Sequence, residues 1–307
     1  MELLKQLCTV HAPSGSEYAM KDFLLDYIDK NKNHWKVVPQ VIYGDDFQDC
    51  ILLIFGEPTT AVFAHMDSVG YTVGYDNSLI KIGGPSAKKG AVLVGKDSEG
   101  NIECILNSNE DEHQFLTYSA NYNRTIDRGT TLTYYPEFKE DDEYVECCYM
   151  DNRLGVWTAL RLAETLENGV IAFSAWEEHG GGSVGYLAKY LYEELNVKQA
   201  LIADITWVTD GIKHNEGVAI SIRDSGIPRR SYLNKIIELA KKSEIPFQLE
   251  VESAGGSDGN ALQKSPYPFD WCFIGAPEDN VHSPNEKVHK NDIQSMVKMY
   301  RYLMKYL

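Results

Sequence analysis

From Asp151 onward the chain alternates stretches of helical periodicity with short, unbroken apolar runs, and no other feature narrows its fold as much. Leu154, Trp157, Leu160 and the group Leu162, Ala163 and Leu166 mark a helix, and residues 170–175 read as a strand. Residues 187–195 follow as helix, 200–203 and 218–222 as strands, 232–242 as helix, 247–251 and 271–274 as strands, and 293–307 as a closing helix. Apolar runs of this length suit strands covered on both faces, and strand–helix alternation builds a parallel sheet between helical layers. The expected fold class is α/β, with a largely parallel central sheet flanked by helices.

Upstream, Ser14 and Glu17 have capping-box spacing ahead of Met20, Phe23, Leu24, Tyr27 and Ile28, so the first helix is expected to start near Ser14. Runs at 37–43, 50–55 and 61–64 read as strands, the last followed at once by His65-Met66-Asp67. Residues 71–147 have few helical periods. There, 91–96 and 101–106 flank the turn-forming Asp97-Ser98-Glu99-Gly100, and 130–135 is a further strand. Because the α/β pattern resumes at Asp151, a small β-barrel-like domain is expected at 71–147. It would be inserted into a catalytic domain made of 1–70 and 148–307.

Composition removes several classes of function. The 307 residues are 43% hydrophobic and 24% charged, values typical of folded soluble proteins. Lys and Arg number 29 against 45 Asp and Glu, and the net charge of -16 repels phosphate backbones and anionic headgroups. Neither nucleic acid nor a membrane is expected as partner. The longest apolar run, 50–55, is far short of the roughly 18 residues that a spanning helix needs. The first residues lack a basic segment leading into an apolar one, so a cytoplasmic address is expected. The six cysteines form no C-x-x-C pair and read as reduced and mostly buried.

Acidic and imidazole residues recur where strands are expected to end: His65, Glu177 with Glu178, Asp204, and His282 some way after 271–274; Asp151 opens a helix. In open α/β sheets ligands gather beyond the carboxyl ends of the strands, so these positions would converge. Two histidines with several carboxylates form the ligand set of zinc or a similar divalent ion. One carboxylate can bridge two such ions about 3.5–4 Å apart. His65 and Asp67, two apart in extended backbone, share a side, so Asp67 would hold the His65 tautomer. Of Glu177 and Glu178, adjacent beside a glycine turn, one would face metal and the other water. Gly255-Gly256-Ser257-Asp258-Gly259 lacks the lysine and spacing of a phosphate loop and reads as a tight turn in the site wall.

The ordered series His65-x-Asp67, Asp151-Asn152-Arg153, Glu177-Glu178, Asp204 and His282-Ser283 resembles the co-catalytic zinc aminopeptidases. It is most similar to the glutamyl aminopeptidase family that includes the tetrahedral (TET) aminopeptidases. The likeness runs from Ala12-Pro13-Ser14-Gly15 through His282-Ser283-Pro284-Asn285-Glu286 to the last helix. Gly255-Gly256-Ser257-Asp258 stands where members carry a glycine pair followed by Thr-Asp. The resemblance implies two divalent metal ions, zinc first, with cobalt or manganese as alternatives. It implies that His65, Asp151 and Asp204 hold one ion and Asp151, Glu178 and His282 the other, with Glu177 as general base. Peptides with a free N-terminus are the implied substrates. A homo-oligomer is implied in the same way, although members that form twelve-subunit tetrahedra are generally longer.

The place of the insertion separates close relatives. In the dimeric carboxypeptidase and deacylase family the lid enters after the third ligand segment, whereas here it enters between His65-x-Asp67 and Asp151. Two departures from the family pattern touch the specificity wall: Ser68 replaces an acidic residue, and His179-Gly180-Gly181-Gly182-Ser183 replaces Val-Gly followed by a basic-Gly-Ala turn. Two other classes compete. A glycosidase with paired carboxylates has no need of two histidines at strand ends. A non-catalytic scaffold would be marked by loss of a ligand or the base, and all six candidates keep a competent residue type.

Overall fold

The computed structural model describes residues 1–86, 88–110 and 116–307. Helices α1 (Glu2–Thr9) and α2 (Tyr18–Asn31) lead into β1 (Gln40–Ile42), β2 (Ile51–Phe55) and β3 (Ala61–His65). Six strands follow: β4 (Gly70–Val73), β5 (Ser78–Ile82), β6 (Val92–Asp97), β7 (Gly100–Glu110), β8 (Leu116–Asn121) and β9 (Thr131–Tyr134). After β10 (Lys139–Glu140) and β11 (Tyr144–Cys147), helix and strand alternate through α3 (Met150–Ala163), β12 (Gly169–Ser174), α4 (Val184–Glu193), β13 (Gln199–Trp207) and β14 (Val218–Arg223). The chain ends with α5 (Arg230–Ser243), β15 (Phe247–Val251), α6 (Asp258–Lys264), β16 (Asp270–Asp279), β17 (Glu286–His289) and α7 (Lys290–Tyr306).

Among the described residues these strands make an eleven-stranded sheet and a separate closed barrel, β4-β5-β8-β7-β6-β9. At the centre of the sheet β12, β3, β13 and β16 run parallel. The margins are antiparallel: β1 and β2 on one side, β17, β11 and β10 on the other, with β14 and β15 branching from β16. The fold is thus mixed α/β around a parallel centre.

Alternate residues of the central strands feed two layers. Leu52, Phe63, Val170, Ala172, Ala200 and Ile202 pack under α4 and α6. Ile51, Leu53, Val62, Ile171, Phe173 and Leu201 pack against α1, α2, α3, α5 and α7. Burial on both faces explains why these strands read as continuous apolar runs. Among the described residues no helix is long and apolar enough to cross a membrane. All six cysteines are free and buried.

Three differences from the sequence reading have physical causes. An unexpected helix, α1, precedes the first expected one, its buried stripe of Leu3, Leu4, Leu7 and Cys8 being too short to give a long period. Helix α2 starts at Tyr18 and not near Ser14, because the Ser14 hydroxyl donates to Asp67 at 2.6 Å and Glu17 accepts from the Trp176 N–H at 3.0 Å. Finally, β10 and β11, within the 71–147 stretch, belong to the large sheet: Tyr144–Cys147 pairs with Glu286–His289, and the barrel strands end at Tyr134. That stretch also contains residues 87 and 111–115, which lie outside the described residues.

The barrel touches the chain's first segment through His11, whose ring nitrogens lie 3.0 Å from the Thr133 hydroxyl and 2.9 Å from that of Thr131, both on β9. Burial, helped by the Arg153 guanidinium, pushes the His11 pKa from 6.5 down to about 4. Below pH 6.5 the unfolded chain therefore takes up this proton before the folded one does, so the His11 contribution to stability is complete above 6.5 and lost as pH falls toward 4. We predict that His11→Gln loses this component: the fall in urea midpoint between about pH 7 and about pH 5 should be smaller than in wild type. An equal fall in both proteins counts against the contact.

Candidate active site

The parallel centre of the sheet brings the candidate residues to one edge. His65 ends β3 and pairs in register with Ser174 at the end of β12. Asp204 lies two residues beyond the Ile202–Phe63 pair and so comes level with His65. Glu177 and Glu178 follow β12, Asp151 starts α3, and His282 sits in the turn after β16. Tyr149, Trp176 and His282, at φ 67°, 61° and 62°, take the left-handed conformation that non-glycine residues rarely adopt. Each turns the chain sharply beside the cluster.

All six residues meet. His65 Nε2 lies 3.2 Å from Asp151 Oδ1, 3.5 Å from Asp204 Oδ2 and 4.0 Å from Glu177 Oε2. His282 Nε2 lies 3.2 Å from Asp151 Oδ2 and 3.1 Å from Glu178 Oε2. Two donor sets emerge, His65 with Asp151 and Asp204, and Asp151 with Glu178 and His282, each with one ligand atom per residue within 4.8 Å of the others. Asp151 is common to both.

Asp67 stands behind this cluster. Its Oδ1 is 3.4 Å from His65 Nδ1, and its carboxylate accepts from the Glu177 and Glu178 N–H groups at 3.1 Å each. Burial works against ionised Asp67, but His65, Ser14 and the Glu177 N–H together hold its pKa below the ordinary value. A strap of residues 83–86, between barrel strands β5 and β6, closes the other side. Gly84 O lies 3.2 Å from His282 Nδ1, the Ser86 N–H donates to His282 O at 2.9 Å, and the Gly83 N–H donates to His179 Nδ1 at 3.1 Å. A carbonyl at Nδ1 leaves Nε2 of His282 as the lone-pair nitrogen facing the cluster.

The electrostatics of the cluster call for positive charge. Burial pushes Glu178 up to about 7 and Asp204 up to about 6, with Asp151 adding repulsion to each, and Glu177 rises well above the usual carboxylate range. His282, which burial alone would push down, is instead pushed up to about 12 by Asp151 and Glu178. Glu178 Oε1 is buried without a hydrogen-bond partner among the described residues. An orphaned carboxylate oxygen and crowded carboxylates on two imidazoles are what a metal centre looks like to its protein ligands, so the residues fit divalent ions.

Sequence reasoning missed several supporting groups. Glu286 Oε2 accepts from the Asp151 N–H at 3.2 Å, and buried Asp258 accepts from the Ser174 hydroxyl. Glu278 is buried at 1% exposure with neither carboxylate oxygen hydrogen-bonded among the described residues. Asp258 and Glu286 lay inside motifs already noticed, but as turn and flanking residues. Glu278 gave no signal, because it lies past the apolar run 271–274 that read as a strand, beside the equally acidic Asp279.

Residues 116–299 match the family described as M42 glutamyl aminopeptidase. The chain belongs to this family. A curated relative from Acetivibrio thermocellus is 24% identical over 329 residues, spanning 97% of this chain and 96% of that protein. The aminopeptidase APDkam598 from the archaeon Desulfurococcus kamchatkensis superposes with a TM-score of 0.85 at 21% identity, covering 100% of this chain and 94% of that one. The Pyrococcus horikoshii TET1 peptidase, described as assembling into a tetrahedron or a large octahedral shell, superposes with a TM-score of 0.81 at 20% identity, covering 100% and 99%. At these identities the superpositions speak for the fold, while the family match places the chain among the aminopeptidases.

Asp151 is held in place by a close approach of α3 to β13. The Asn152 side-chain amide donates to Ala203 O at 2.8 Å, and the Gly155 N–H donates to Asn152 Oδ1 at 2.8 Å. A Cβ on Gly155 would run into both Ala203 O and Asn152 Oδ1, neither of which is a flexible chain end. Gly155→Ala should therefore destabilise the protein by about 1–3 kcal/mol in denaturant melts. Gly185→Ala, on the exposed face of α4 with nothing near its Cβ, should be neutral or stabilising by up to about 1 kcal/mol. Equal effects at the two glycines would contradict the close-approach argument.

Proposed function

We propose that this chain is a dinuclear metallo-aminopeptidase. His65, Asp151 and Asp204 would hold one divalent ion, and Asp151, Glu178 and His282 the other. The observation that carries the reading is the Asp151 carboxylate lying between two imidazoles, one oxygen 3.2 Å from each Nε2. Mixed imidazole and carboxylate donors suit zinc, with cobalt or manganese as alternatives. When bound, such ions would acidify a water and polarise the scissile carbonyl.

The remaining chemistry falls to the chain's own side chains. Glu177 belongs to neither donor set yet reaches within 4.0 Å of His65 Nε2, which suits a general base. It takes the proton of the attacking water at a carboxylate oxygen and delivers it to the departing amine nitrogen. Asp67 orients His65 and, through the two N–H groups it accepts, fixes the backbone that aims Glu177 and Glu178 in different directions. The acidic cleft attracts the ammonium of a free N-terminus, so peptides blocked there are poor substrates. In this reading the catalytic domain is discontinuous, the barrel being inserted between its His65 and Asp151 segments. The TET1 neighbour makes a homo-oligomer the assembly to look for.

The two adjacent glutamates give the decisive test. Glu177→Gln keeps size and polarity and removes the proton acceptor. Its rate should drop by roughly 10²–10⁴-fold, about 3–5 kcal/mol of barrier, with metal content unchanged. Glu178→Gln replaces a carboxylate ligand by a neutral amide and should lose metal. Metal analysis alongside rates on aminoacyl chromogenic substrates separates the two roles. An active Glu177→Gln protein, or one that loses metal while Glu178→Gln keeps it, overturns the assignment.

A further inference from the structure

The cleft that holds the cluster, about 250 Å³ in volume, is also lined by Asp224, Glu250 and Glu252. None of these three belongs to a donor set, and none forms an ion pair among the described residues. No lysine or arginine lines the cleft. Glu250 is the telling member. Its side chain is buried, 3% exposed, and the hydrogen bond it accepts comes from the neutral Thr206 hydroxyl to Oε1. Beside it in the β14–β15 register stands Ser221, buried at 1% exposure, a second neutral hydroxyl that favours the ionised carboxylate. A buried carboxylate that faces a cavity beside further carboxylates and no lysine or arginine is suited to something positive entering that cavity.

Its position matches a substrate side chain. Thr206 follows Asp204 by two residues in β13, so the two share a side of the strand about 7 Å apart. Asp204, Thr206 and Glu250 line one cleft, so a peptide cleaved at the cluster with its N-terminal residue beside Asp204 would have Thr206 and Glu250 within reach of its side chain. Ile205, Trp207 and Phe273 supply apolar wall along the same cleft. An apolar wall ending in carboxylates suits a long aliphatic stem that carries a cation at its tip.

Resting on the aminopeptidase reading, we propose that Glu250, supported by Asp224 and Glu252, forms a subsite for a cationic side chain, so that the chain prefers peptides beginning with lysine or arginine. A glutamate side chain would add a further carboxylate to this wall and is disfavoured, despite the family's description as glutamyl.

The test compares L-lysine, L-norleucine and L-glutamate, the amino acids such cleavage would release, by calorimetry on the full chain supplied with zinc. Norleucine keeps the aliphatic stem and lacks the cation. Lysine should bind at least about tenfold more tightly than norleucine and glutamate weakest of all, and Glu250→Gln should shrink the lysine–norleucine ratio to within about threefold. Norleucine or glutamate binding as tightly as lysine to the wild-type protein, or no binding of any of the three, overturns the subsite. Hydrolysis of lysyl, leucyl and glutamyl p-nitroanilides in the same samples tells this apart from the wider reading. A lysine preference in binding with no hydrolysis keeps the subsite and overturns the peptidase, whereas hydrolysis with leucyl or glutamyl preference does the reverse.

Discussion

Carboxylates crowd the end of the parallel strands, and most other features of this edge are arranged around the difficulty of keeping them there. Asp151, Asp204, Glu177 and Glu178 share a few ångströms with two imidazoles, while Asp67, Asp258, Glu278 and Glu286 lie buried just behind. Removing ionised carboxylates from water costs several kcal/mol each unless opposite charge and hydrogen bonds offset it. The one arginine buried nearby, Arg153, does not neutralise them directly: its guanidinium donates to the carbonyls of Met66 and Asp67 and bears on the backbone that carries His65. The compensation the cluster needs is therefore left to whatever enters it, and divalent ions are the entrants its donors fit.

Holding such a cluster takes rigid backbone. The strands supply it, because β3, β12 and the part of β13 up to Asp204 are buried on both faces, and β3 and β12 end level with Asp204. The turns beyond them are pinned by side chains from elsewhere: Asp67 collects two consecutive N–H groups, Glu17 a third from Trp176, and Glu286 the Asp151 N–H. The barrel contributes through the strap between β5 and β6, where Gly84 meets His282 Nδ1. A segment far from His282 in sequence thus bears on the orientation of its imidazole, in keeping with the weight that outer contacts carry in metal centres.

The parallel centre was legible in the sequence because strands buried on both faces leave unbroken apolar runs, and the six clustered residues because each follows a strand or opens a helix. What escaped notice obeys no local period. Helix α1 is only 8 residues long, and α6 is hidden in a glycine-rich stretch that reads as a turn, its start capped by the Ser257 hydroxyl accepting from the Gly259 N–H. Strand β11 joined the insertion in the sequence reading because hairpin-like composition does not say which sheet a strand will pair with; β17, with which it pairs, is just four residues, Glu286–His289. Capping-box spacing at Ser14 and Glu17 misled for a related reason. Both side chains were drawn away by long-range partners, Asp67 and Trp176, that no window of sequence reveals.

The two departures from the family pattern find places in contacts between segments. The N–H of Ser68 donates to Ala12 O at 3.1 Å, its carbonyl accepts from Ser14 N–H at 3.2 Å, and Pro13 bridges to it in parallel, so this residue ties the chain after His65-x-Asp67 to the loop before α2. The Ser68 hydroxyl adds a side-chain bond to the same carbonyl, donating to Ala12 O at 3.4 Å. At 1% exposure, however, an acidic residue at 68 would add another buried carboxylate within one residue of Asp67, and a serine relieves that repulsion. His179 accepts from the Gly83 N–H of the strap, which couples the turn after Glu178 to the barrel. Both replacements therefore alter how neighbouring loops are fastened and leave all six donor and base positions of the proposed centre in their competent types.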